Sequence, residues 1–178
     1  MTILERLLRH DAWTTRELLL RAAKLPDAAL DQEFDLGYRT LRRTFVHMIS
    51  NMECWCDLMT GSPQRENVPG EAANSIAGLI ERLDRVAAEL LALGESVERE
   101  DRADDEFVDA LDNPPRRKPL GAGLVHIATH GMHHRAQCLY FLRRLGAADL
   151  PEGDALSWEL AHRGLDHFPL ASAPPASE

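Results

Sequence analysis

Apolar positions recur with helical spacing in four long stretches, and the prolines and glycines stand between them. This pattern predicts a bundle of four helices. The first, Ile3 to Lys24, opens with Thr2 and Glu5 spaced as a capping box and stops before Pro26. Leu4, Leu7, Leu8, Trp13, Leu18 and Leu19 supply its apolar side, with Trp13 as a core anchor. The second spans Leu41 to Thr60 and is closed by Gly61-Ser62-Pro63. The third, Ser75 to Leu93, takes Asn74 or Ser75 as N-cap and carries the stripe Ile76, Leu79, Leu83, Val86 and Leu90. The fourth runs from Leu120 to Leu145 and stops at Gly146, which suits the left-handed position after a helix.

Between the third and fourth helices, ESVEREDRADDEFVDALDNPPRRKPL is too long and too polar for a tight turn, so a short hairpin or an ordered loop is expected there. After Gly146, a linker with Pro151 and Gly153 leads to a short helix expected at Trp158 to Arg163. Trp158 reads as a lid or a packing residue, and Trp55 as a core anchor. The fold class is therefore all-α, one helical-bundle domain over residues 1–170, with 171–178 expected to be a disordered tail.

Composition narrows the function classes. A chain of 178 residues with 44% hydrophobic content suits one buried core. It has no apolar run of about 20 residues to span a bilayer, and no basic-then-apolar signal layout at its start. A cytoplasmic protein without membrane partners is expected. The three cysteines, Cys54, Cys56 and Cys138, suggest no disulfide framework. A net charge of −9 repels a phosphate backbone, and the one dense basic cluster, Arg116-Arg117-Lys118, is too short to argue for nucleic acid.

The candidate chemistry lies in the fourth helix. His126-Ile-Ala-Thr-His130-Gly-Met-His133-His134 gathers four of the chain's eight histidines. Neutral imidazole is a common transition-metal ligand, and 126/130, 130/133 and 130/134 are all spaced for chelation. At about 100° per residue, Ile127, Cys138 and Phe141 mark the buried arc, with His134 inside it, His130 on its edge, and His126 and His133 toward solvent. On the second helix, His47 borders the stripe Leu41, Met48, Met52, Trp55 and Met59. An inward His on one helix and a pair on another could give three nitrogen ligands and leave open positions, as in catalytic metal sites; each also fits a hydrogen-bonded core histidine. Gly131 follows His130 where the zinc proteases' HEXXH motif has Glu, which argues against that class.

Nearby residues permit weaker readings. Cys54, two turns after His47, could be a fourth ligand or line a thiol pocket, but an inert buried cysteine is the simpler reading. Cys56 projects to the opposite side of the helix. Asn51 could bond a water or substrate, or equally another helix. Glu53 lies roughly 120° from His47 and is no candidate base.

Three segments resemble the DinB-like (damage-inducible, DinB/YfiT-like) superfamily of four-helix-bundle metalloenzymes: LLRHDAW, GYRTLRRTFVHMISNMECWCDLMTG and LVHIATHGMHHRAQCLYFLRRLG. The last carries the family's His-x-x-x-His-Arg-x-Gln pattern, with Ala136 where Gly is frequent. The resemblance covers about residues 3 to 146 and selects 130/134 over the competing pairs. It implies a metal triad of His47, His130 and His134; of the motif's other members, the helical projection keeps Gln137 near the ligand face and turns Arg135 away from it. It further implies a divalent metal (nickel, zinc or iron), a homodimer, and a metal-activated low-molecular-weight thiol or water. The activity implied is a thiol-dependent transferase or a hydrolase, and the alternative is a non-catalytic metal-binding stress-response module.

Overall fold

The computed structural model describes residues 1–65 and 71–166. Helix α1 spans Ile3–Ala22, a 3-10 turn covers Asp27–Asp31, α2 spans Leu41–Thr60, and α3 is one turn at Glu71–Asn74. Helix α4 spans Ile76–Arg99, strands β1 (Glu106–Asp109) and β2 (Arg116–Pro119) follow, and α5 (Leu120–Arg144) and α6 (Ala155–Arg163) complete the chain. The expected domain boundary and tail lie outside the described residues. No helix among the described residues is long and apolar enough to cross a membrane.

Local chemistry sets the helix ends. The hydroxyls of Thr2, Thr40 and Ser75 accept from the backbone N–H groups of Glu5, Arg43 and Gly78, each at 3.1 Å, satisfying donors that a helix start leaves free. Gly61 closes α2 with φ +68°. Helix α5 begins after Pro119 and has no side-chain cap. The carbonyls of Asp105 and Ala103 take its first N–H groups, from Leu120 and Gly121, both at 2.8 Å.

The four long helices close a ring in which α1 and α2 each pack against both α4 and α5. Leu18 and Leu19 of α1, Phe45 and Ile49 of α2, Leu79 and Leu83 of α4, and Leu124 and Phe141 of α5 fill its centre and are almost fully buried. Each such side chain contributes about 1.5–3 kcal/mol by leaving water. Trp55 and Trp158 are buried, whereas Trp13 is only half-buried and does not anchor the core.

Helix α4 runs six residues beyond the expected end at Leu93. Gly94 lies inside the helix facing α1, and a Cβ there would come within 2.8 Å of Leu8 Cδ1. The glycine allows close helix approach, and Val97 beyond it is buried. Helix α6 starts three residues earlier than expected, because Asp154 caps it by accepting from Leu156 and Ser157 N–H groups at 2.7 and 3.0 Å.

The polar segment before α5 is an antiparallel hairpin pairing Phe107 with Lys118 and Val108 with Arg117. Alternation along β1 turns Phe107 and Asp109 inward. Phe107 meets Trp55 edge to face at 6.0 Å, over Gly123. Asp109 accepts from Lys118 and from the Leu111 N–H. The basic cluster is therefore partly consumed internally, since Arg117 also faces Glu106 at 3.6 Å.

Candidate metal centre

Because α2 and α5 are neighbours, the inward border of one faces that of the other. His47 Nε2 lies 3.4 Å from His130 Nε2, and His134 Nε2 lies 3.3 Å from the same atom. A candidate ligand atom from each of the three histidines lies within 4.8 Å of the others. A tetrahedral ion with metal–nitrogen bonds of about 2.0–2.1 Å separates its nitrogens by about 3.3–3.4 Å, so the two short edges are those of such a polyhedron. The group could hold a metal ion.

The electrostatics agree with that fit. Burial, followed by the neighbouring imidazoles His134 and His47, pushes His130 down to about 4. Burial also lowers His47, with help from His134. His134 is lowered by burial against the opposing hydrogen bond from Gln137. Three neutral imidazoles expose lone pairs at neutral pH, the form a metal requires.

Tyr38 was not legible in the sequence. It lies in the loop before α2, and its ring stacks on His47 with centroids 4.0 Å apart and an interplanar angle of 24°. The same loop passes close to α5: Gly37 has φ +48°, and a Cβ on it would come within 2.7 Å of Gln137 Oε1. Gln137 itself sits between two histidines, with Oε1 2.9 Å from His134 Nδ1 and Nε2 3.1 Å from His133 Nε2. The pairing of glycine and tyrosine in Gly37-Tyr38, just before the α2 cap, was the available signal.

The other candidates separate cleanly. His126 and His133 are exposed, with His126 resting 4.9 Å from the Trp55 ring. Cys54 is half-buried, donates to Gln64 Oε1 at 2.8 Å, and has its thiol pushed up by burial. Cys56 is buried, with its thiol pushed up to about 11 by burial and by Glu89. Neither belongs to the histidine group. Glu53 is committed to Arg82 at 2.6 Å, and Asn51 is half-buried on α2. Trp158 is no lid over the histidines: it packs between two cavities of about 310 and 470 Å³, neither lined by any of the three.

A model of the DinB family matches residues 1–159. The chain belongs to the DinB family. No curated protein sequence matches it. Within this DinB bundle each part of the His-x-x-x-His-Arg-x-Gln run has a physical place. His130 and His134 join His47. Gln137 holds His134, and Arg135 turns to the opposite side to pair with the buried Asp11 of α1. Burial pushes the Asp11 carboxyl up, against the pull of that guanidinium. Gly131 is explained by the same pair, since a Cβ there would lie 2.5 Å from Asp11 Oδ1.

Proposed function

We propose that this DinB protein is a divalent-metal-dependent enzyme in which His47, His130 and His134 hold the ion and an external thiol or water completes it, in the manner of a thiol-dependent transferase. The observation that carries the reading is the three-nitrogen group from two helices, with two edges of tetrahedral length and no carboxylate among its members. When bound there, a divalent ion with an open position lowers the pKa of a thiol or water placed on it.

The chain's own residues hold and orient. His130 and His134, one turn apart on a rigid helix, fix two donors, while α2 supplies the third and Tyr38 covers its ring face. A hydrolytic version calls for a general base, and no carboxylate belongs to the histidine group, with Glu53 turned to Arg82, which favours the thiol version. The native metal is nickel, zinc or iron, and the functional unit is a homodimer.

The test is turnover by untagged, metal-loaded protein with a panel of low-molecular-weight thiols and electrophilic acceptors. The reading expects turnover that disappears in His130→Ala. Metal-dependent stabilisation with no turnover across the panel would instead assign a non-catalytic metal-binding module.

A further inference from the structure

His133 and Gln137 have no ligand role in the reading above, yet they form one hydrogen-bonded line into the candidate centre. Gln137 Oε1 lies 2.9 Å from His134 Nδ1, and Gln137 Nε2 lies 3.1 Å from His133 Nε2. An amide oxygen can only accept and an amide nitrogen can only donate, so with Oε1 toward His134 and Nε2 toward His133 the line matches one placement of protons. In that arrangement His134 carries its proton on Nδ1 and donates to Gln137 Oε1. Its Nε2, the atom beside His130, is left with a free lone pair.

The outer end of the line has the complementary role. With the amide turned over, its NH₂ would face His134 Nδ1 and drive the proton to Nε2, blocking the atom that faces the centre. In the present orientation His133 completes the line by accepting from the amide NH₂ at Nε2, which it does as the Nδ1–H tautomer. Gly37 keeps the space beside the amide, since any Cβ there would press on Oε1 at 2.7 Å and on Nε2 at 3.0 Å.

We infer that Gln137 and His133 are positioning residues that fix His134 in the Nδ1–H tautomer, preparing its Nε2 for a metal. The ligand role of His134 in this inference rests on the proposed function; the tautomer rests on the orientation of the Gln137 amide. A ligand's outer hydrogen bond typically changes metal affinity by about 10–100-fold when removed.

Nitrogen-15 NMR of imidazole-labelled, chelator-treated full-length protein reads both tautomers directly. The wild type is expected to show His134 protonated on Nδ1 and His133 on Nδ1. Gln137→Leu should move His134 toward the Nε2–H form that free imidazole prefers, and should weaken zinc binding at least tenfold in chelator competition. Gln137→Glu, which can only accept, should keep His134 as Nδ1–H but invert His133 to Nε2–H, an outcome that a merely structural role would not produce. A wild-type His134 already in the Nε2–H form, or one unchanged by Gln137→Leu, overturns the inference. Tautomers as expected in a protein that binds no zinc would sink the metal reading and leave the positioning chemistry standing.

Discussion

Arg135 of α5 and Asp11 of α1 form an ion pair with side-chain exposures of 5% and 3%, directly beneath Gly131 and one residue beyond His134. The pair ties the helix carrying two of the three histidines to the neighbouring wall of the bundle. The histidine face and the arginine face of α5 thus have different tasks, and the absence of a Cβ at 131 lets α1 approach.

Removing one partner leaves a buried polar group without its counter-charge, so Arg135→Ala should destabilise the protein by about 3–5 kcal/mol. Replacing both partners by apolar residues, Asp11→Leu with Arg135→Met, should recover a large part of that loss. Urea denaturation measures both; a cost below about 1 kcal/mol for Arg135→Ala would show that the pair does not anchor α5.

Much of this was readable from helical period. Which histidines lean inward follows from 100° steps along α2 and α5, and the Gly61 and Gly146 stops coincide with left-handed residues. Period fails where a residue's reason lies in another element. The third helix, expected to end at Leu93, continues through Gly94 because Leu8 packs against it, and Gly131 reads as a missing Glu until Asp11 is seen beneath it. Tyr38 sits in a loop, which has no period to project, so its stacking on His47 became visible only in three dimensions.

That stacking has a measurable consequence. Aromatic pairs contribute about 0.5–1.5 kcal/mol beyond burial, so Tyr38→Ala should loosen His47 and weaken zinc affinity by about two- to tenfold, with the fold retained. Tyr38→Phe keeps the ring and should bind like the wild type. Equal affinity of Tyr38→Ala and wild type in chelator competition would remove Tyr38 from the site.

Acid should act on the metal-free protein through the same imidazoles. His130 titrates near 6.5 when unfolded and at about 4 in the fold, so between those values the unfolded chain binds more protons. Its contribution is therefore fully present above about 6.5 and is lost as pH falls toward 4; His47 and His134 act in the same direction. Denaturation of chelator-treated protein across this window should show stability falling with acid, and His130→Gln should flatten the slope. An unchanged slope in His130→Gln would contradict the burial of that ring.

The proposed function requires that His47, His130 and His134 together hold one divalent ion. Elemental analysis of untagged protein, stripped with chelator, reloaded with zinc and desalted, tests it most directly when the wild type is compared with His47→Ala, His130→Ala and His134→Ala variants that remain folded. One ion per chain is expected in the wild type, and substoichiometric metal in each variant. No stoichiometric zinc in the wild type, or full retention in His130→Ala, would contradict it.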